Sequence, residues 1–368
     1  MAFEKSFAAD REVGASFAAT LNGELVVDLW GGHADAARTR PWQRDTLVNV
    51  FSTTKAMAAL CLHQLADRGK LDLDAPVARY WPEFAQAGKA ALPVHYLLSH
   101  RAGLAALRPK LPTEALFDWQ RMTEALAAET PWWEPGSRSG YHAMTYGFLV
   151  GEVLRRIDGR TLGAFFREEV ASPLGADFWI GLPASQDSQD ARVAEMVAPS
   201  AEAMAAAGAA AAPAADSLLA KVMGNPALAP ETANLPAWRR AEIPAANGHG
   251  NARSVARVMA ALAGGGAAGD VRVLSEAALA RATTEQCFGP DLVLGVPMRW
   301  GQGFMLASDA LPLGPSRRAF GHGGWGGSLG IADPDARVSW AYVMNQMSAG
   351  TLGDTRAFEL AQAFYAAL

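Results

Sequence analysis

Residues 46–60 read TLVNVFSTTKAMAAL, an apolar run that changes period at its serine. Val48, Val50 and Phe51 suit a short strand over 46–51. From Ser52 onward, STTKAMAALCLHQLADR predicts a helix over 52–68, and Gly69 stands where a left-handed residue ends a helix. Ser52 and Lys55 are three residues apart and so share a helical face. A serine hydroxyl is a weak nucleophile until a base takes its proton. A lysine in apolar surroundings is such a base, because desolvation lowers its pKa. Ser-x-x-Lys is cheap by itself: a helix-capping serine beside a solvated lysine looks the same. Yet only six of the 32 basic residues are lysines, and Val50-Phe51 and Ala56–Leu60 flank the pair with apolar surface.

Working outward, ASFAATL (15–21) and ELVVDLW (24–30) flank Asn22-Gly23, a type I′ hairpin signal. Residues 71–130 look helical and loop-like, punctuated by Pro76, Pro82, Pro93, Pro109 and Pro112, and 131–141 is a turn-rich loop. Helices are expected over 142–157, 161–171 and 251–263, the last with Asn251 placed to cap it. Residues 201–222 are Ala-rich and carry no functional expectation. Two strands, 328–332 and 338–345, precede a final helix at 354–367. Strands thus gather at the two ends, without the regular alternation of a parallel doubly wound sheet. The expected architecture is α/β of the α+β type: an antiparallel sheet flanked by helices, with an inserted mainly helical domain. Residues 1–70 and 240–368 would form the sheet domain and 71–239 the helical one, with the active site in the cleft between them.

With 368 residues, half of them hydrophobic, the chain can bury a large core. A net charge of −5 argues against nucleic acid or an anionic membrane as partner. There is no run of 18 apolar residues, so no transmembrane helix is expected. The first residues lack the apolar core of a secretory leader, and Cys61 and Cys287 suggest no disulfide framework; a cytoplasmic location is expected. The seven histidines show no metal-binding spacing, and no cofactor is expected. Gly326-Gly327-Ser328-Leu329-Gly330 fits the nucleophile-elbow pattern G-x-S-x-G, which needs a helix after the serine and a histidine downstream. A strand-like run follows instead, and His322 is the last histidine, so Ser328 is set aside as a nucleophile.

The stretch 46–60 resembles the nucleophile segment of the serine β-lactamase and penicillin-binding protein superfamily. It looks most like class C β-lactamases and the related family VIII carboxylesterases. PVHYLLSHRAGL (93–104), EPGSRSGYHAMTYGFLVG (134–151) and FGHGGWGGSLGIADPDARVSWAYVMNQM (320–347) resemble later segments of that family, in the same order. The likeness runs from about Gly14 to the C-terminus and is weakest over 185–240. It implies a β-lactamase-like fold, with Ser52 as nucleophile and Lys55 and Tyr141 sharing proton transfer; Tyr146 matches a structural aromatic.

Two departures shape the expected activity. Tyr141-His142-Ala143 replaces the family's Tyr-x-Asn, whose asparagine helps bind the amide side chain of β-lactams. His322-Gly323-Gly324 stands where β-lactamases carry Lys-Thr-Gly, as in many esterase-like members. By position, the N–H groups of Ser52 and Trp325 would form the oxyanion hole. His322 would hold the proton network or orient substrate, and Gly323 and Gly324 would let a substrate carbonyl approach. Trp325, with Trp132 and Trp133, would wall an apolar pocket, and His249 would line the site from a Gly-rich turn. The resemblance therefore implies a serine carboxylesterase acting on small-molecule esters with short to medium acyl chains. A β-lactamase, D-amino-acid peptidase or transacylase using the same residues is the alternative. A non-catalytic binding protein would have lost these residues, and all three are present. The sequence is silent on oligomeric state.

Overall fold

The computed structural model describes residues 2–183, 191–206, 214 and 216–368. Asn22 and Gly23 both take positive φ, 52° and 85°, and close the expected hairpin between β1 (Gly14–Leu21) and β2 (Glu24–Gly32). Strand β3 (Val48–Asn49) is shorter than the sequence suggests. It pairs with β5 (Gly248–Gly250), which also pairs with β4 (Phe178–Ile180), in a separate small sheet. A two-residue hairpin, β6 (Ala267–Ala268) and β7 (Val271–Arg272), follows. The rest of the main sheet comes from β8 (Cys287–Pro290), β9 (Pro297–Trp300), β10 (Met305–Leu306), β11 (Phe320–Gly323), β12 (Leu329–Asp333) and β13 (Val338–Met344). Its order is β2-β1-β13-β12-β11-β10-β9-β8, antiparallel throughout. The two ends of the chain meet inside it, with Phe17 of β1 opposite Tyr342 of β13.

Every residue of β13 is buried, which explains why VSWAYVM is mostly apolar rather than alternating; its one hydroxyl without a ring, on Ser339, donates to the Ala256 carbonyl at 2.8 Å. One face is covered by the helix Ala252–Ala263, whose first turn is capped by Asn251 as expected (Oδ1 accepts the Ser254 N–H, 2.9 Å). The C-terminal helix Thr355–Tyr365, capped by Asp354, packs on the same strand and on α1 (Ala2–Ala8), a helix the sequence reading did not anticipate.

Helix α2 (Thr54–Asp67) starts two residues later than predicted and ends as predicted, before Gly69 at φ 69°. Against it pack α5 (Thr145–Asp158) and α6 (Leu162–Phe166), and α5 in turn receives α3 (Val94–Leu98) and α4 (Trp119–Ala128). The helix expected over 161–171 is divided, since a π turn, Arg167–Ala171, follows α6. Part of the Ala-rich stretch lies outside the described residues; the rest contains the helices Ala201–Ala206 and Leu218–Gly224. Among the described residues, no helix is long and apolar enough to cross a membrane.

Candidate active site

Ser52 sits on the turn between β3 and α2, just outside the helix it was expected to begin; Thr53 takes the cap position. Phe51, just before it, adopts φ 41°. That region costs a bulky residue of order 1–3 kcal/mol and persists only where the surroundings enforce it. The enforcing contacts are on both sides. The Phe51 ring packs on Trp238 and Trp325, with centroids 6.4 and 5.3 Å away. Its carbonyl accepts the Thr54 hydroxyl at 2.5 Å, and Thr54 Oγ1 in turn accepts the Gly248 N–H at 2.8 Å. Thr53 Oγ1 lies 3.0 Å from Ser328 Oγ, which donates to the Val50 carbonyl at 2.7 Å. Ser328 is thus a brace between the β12 end and the Ser52 turn, in keeping with its exclusion as a nucleophile.

Lys55 is completely buried one helical turn on. Its Nζ lies 3.1 Å from Ser52 Oγ, 2.7 Å from the Ala143 carbonyl and 2.9 Å from the Ala245 carbonyl. It also lies 4.8 Å from the centre of the Tyr141 ring. None of these neighbours is a carboxylate, so burial alone pushes its pKa well below that of an ordinary lysine.

Tyr141 stacks nearly flat on Trp300 (5.8 Å, 6°), next to His100 (4.9 Å) and His322 (6.1 Å). Its backbone N–H donates to Asp291 Oδ1 at 2.9 Å. Burial raises the phenol pKa. Nearby Ser52 favours the anion and Asp291 opposes it, yet the hydroxyl reaches no partner in hydrogen-bond geometry. The phenol is therefore neutral and free to donate. The imidazoles around it are neutral too. Burial lowers His142 and His322 to about 3, and His100 is well below its usual value. His142 donates from Nδ1 to the Gly140 carbonyl (2.6 Å) and accepts the Leu104 N–H at Nε2 (3.0 Å), which fixes its tautomer.

The main-chain N–H groups of Ser52 and Trp325 donate to no backbone carbonyl among the described residues. A Cβ on Gly324 would lie 2.3 Å from both the Val50 carbonyl and Ser328 Oγ, and 3.2 Å from Ser52 N; one on Gly323 would lie 2.6 Å from the Leu352 carbonyl. Gly324 thus lets this strand end pack closely on the Ser52 turn, and Gly323 lets it pack on Leu352.

Between Ser52 and Trp325 opens a cavity of about 30 Å³, room for roughly two waters. Phe51, Tyr141, Met144, Val222, Met223 and Leu228 share its lining. Trp132 does not line it: its indole donates to the Ala106 carbonyl at 2.8 Å, and Arg108 covers its ring. His249 is sealed in β5, and His322 is buried beyond Tyr141 with Nδ1 against the Gly323 carbonyl (2.7 Å); neither faces the cavity. Sequence reasoning missed Trp300, Asp291 and the wall formed by Val222, Met223 and Leu228. A larger cavity, about 640 Å³, opens by α4 and α5 among Trp119, Glu152, Arg155 and Glu242, and contains none of the expected site residues.

The chain matches the Beta-lactamase family over residues 2–364. It is 39% identical over 352 residues to the esterase/beta-lactamase LipL of Mycobacterium tuberculosis, spanning 94% of this chain and 80% of that protein. Esterase EstB of Burkholderia gladioli is 32% identical over 190 residues, 47% of this chain and 48% of that one. Among solved structures, a family VIII carboxylesterase superposes with a TM-score of 0.91 at 48% identity, covering 100% of this chain and 96% of the other. A penicillin-binding protein homologue from Caulobacter crescentus gives 0.90 at 45% identity, with the same coverage.

Proposed function

The chain belongs to the beta-lactamase family and is a serine hydrolase, and from that premise we propose that it is a carboxylesterase working through a Ser52 acyl-enzyme. The observation that carries this reading is the setting of Lys55. A neutral amine has two hydrogens and one lone pair. The carbonyls of Ala143 and Ala245 take the hydrogens, which leaves the lone pair for the Ser52 hydroxyl at 3.1 Å. With its pKa lowered by burial, Lys55 accepts the Ser52 proton as Oγ attacks the ester carbonyl. The oxyanion that forms is held by the N–H groups of Ser52 and Trp325. Tyr141, kept as a neutral phenol by burial, delivers a proton to the departing alcohol and is restored from Lys55. Water then enters the cleft, gives up its proton to the same pair and releases the acid.

The substrate cleft in this reading lies between the sheet-bearing ends of the chain, 1–70 and 240–368, and the helical insertion 71–239. Its small apolar lining favours short to medium acyl chains. Ala143 turns only a methyl toward the cleft where an amide side chain would serve a β-lactam, which supports esters over lactams. The name of LipL keeps β-lactam hydrolysis as the second reading. Assaying p-nitrophenyl butyrate beside nitrocefin separates the two. The proposal expects kcat/KM for the ester to exceed that for the lactam at least a hundredfold, and the reverse order would overturn it. A cytoplasmic site of action also belongs to the proposal, supported by two free cysteines, Cys61 and Cys287; the same ester assay on fractionated cells checks it.

A further inference from the structure

Beneath the turn that carries Trp325 lies a buried charged cluster that no step of the mechanism uses. Arg356, 4% exposed, is at its centre. Its Nε and Nη2 donate to Asp354 Oδ2 at 3.0 and 2.7 Å, and its Nη1 donates to Glu12 Oε2 at 2.9 Å and to the Arg11 carbonyl at 2.7 Å. Nη2 also reaches the Gln346 carbonyl at 3.0 Å and the Gly326 carbonyl at 3.3 Å. Tyr342 donates its hydroxyl to the other Glu12 oxygen. Two carboxylates thus share one buried guanidinium, and burial raises Glu12 to about 7. Such an arrangement is a poor way to gain stability, because desolvating the ions offsets most of their attraction.

The turn above needs an external hold. Four of the five residues from Gly323 to Gly327 are glycine, and Gly326 and Gly327 take φ 87° and 128°; within the turn the Gly324 N–H donates to the Ser328 carbonyl (2.7 Å) and the Gly327 N–H to the Gly324 carbonyl (3.1 Å), and neither bond engages the Trp325 peptide N–H. Gly326 is held by Ser348 N–H on its carbonyl (2.9 Å) and by the Gly350 carbonyl on its N–H (2.8 Å). Gly327 lies close against Asp354, where an added Cβ would come within 2.8 Å of the Asp354 side chain. Arg356 ties the Gly326 and Gln346 carbonyls together from below.

We infer that Arg356, held between Glu12 and Asp354, is a positioning residue that fixes the glycine turn 324–328 so that the Trp325 N–H faces the oxyanion formed at Ser52. The inference rests on the oxyanion assignment made above. A planar fork of five donors reaches two carboxylates and three carbonyls at once; an ammonium does not.

The test compares wild-type enzyme with Arg356→Ala and Arg356→Lys, reading kcat and KM for p-nitrophenyl butyrate and the inhibition constant of butylboronic acid, whose tetrahedral adduct on Ser52 occupies the oxyanion hole. In variants that still unfold cooperatively, kcat falls roughly 10- to 100-fold, KM stays within about twofold, and boronate affinity weakens in parallel with kcat; complete loss of a donor costs about 10²–10³. Millimolar guanidinium restores part of the kcat of Arg356→Ala, entering through the cavity that reaches Arg356 from the surface. A folded Arg356→Lys enzyme with wild-type kcat and boronate affinity overturns the inference, as does a drop in kcat that leaves boronate affinity unchanged. If Arg356→Ala fails to fold, Arg356→Lys, which keeps the charge and most of the stem, decides the matter. Wild-type protein that neither cleaves the ester nor binds the boronate contradicts the function itself, a result distinct from failure of this inference.

Discussion

Lys55 makes its closest polar contacts 88 and 190 residues away in sequence, with the Ala143 and Ala245 carbonyls. Those contacts decide its chemistry. An ammonium there would have three acceptors and no balancing carboxylate, so the neutral amine is the form the site favours. The sign of the pH dependence follows. As pH falls through the lowered pKa, Lys55 gains a proton and loses its lone pair, and the base of the proposed mechanism is lost. The kcat/KM profile for a neutral ester should therefore show an acid limb that levels off well below the pH at which an ordinary lysine titrates. A rate still rising tenfold per pH unit up to pH 10 would mean an ordinary lysine and would remove it as the base. The Ser52–Lys55 pair was legible because one turn of chain, closed by the Lys55 N–H on the Ser52 carbonyl (2.9 Å), spans three residues even though Ser52 lies outside the helix. The charge state was not, because it depends on carbonyls from two distant loops. Tyr141 was legible only through resemblance, and its stacking on Trp300 and its tie to Asp291 depend on a hairpin 150 residues downstream.

Among the elements, the segment around Leu218–Gly224 gave the least sequence signal and has an unexpectedly direct place at the site. Its low-complexity flank hides any period, yet Val222, Met223 and Leu228 form a wall of the Ser52 cavity. Asn225 hangs the segment on the 107–111 loop, donating to the Leu107 and Pro109 carbonyls at 2.7 and 2.9 Å and accepting the Leu111 N–H at 2.8 Å. No propensity rule signals a tertiary hook of that kind. In the proposed esterase this wall would limit the acyl chain, so Met223→Ala should shift selectivity toward longer esters. The ratio of kcat/KM for p-nitrophenyl octanoate to that for the butyrate should rise about tenfold or more, since each methylene admitted to apolar surroundings is worth about 0.8 kcal/mol. An unchanged ratio would place the acyl chain elsewhere. The 52–68 prediction, by contrast, erred by only two residues at its start, because the strained turn at Phe51 holds Ser52 just outside the helix.

For the whole molecule, joining both chain ends in one sheet places the parts of the site. The Asn-Gly hairpin and the apolar β13 made the core of that sheet readable, and its antiparallel character followed. The outer strands β8 to β10 were not readable: they are two to four residues long, and β8 and β9 each carry a proline, so no alternating pattern forms. Because β11 ends and β12 begins at the Gly323–Ser328 turn, the sheet brings Trp325 to the cavity beside Ser52, and α2 and α5 bring Lys55 and the Tyr141 loop from the other side. In the proposed mechanism this convergence makes Ser52 the acylated residue. Brief reaction with p-nitrophenyl butyrate, acid quenching and peptide mass spectrometry measures it directly. A single butyryl group on the peptide containing Ser52, absent from Ser52→Ala, is the predicted result; acylation of Ser328, or undiminished acylation and turnover in Ser52→Ala, would contradict it.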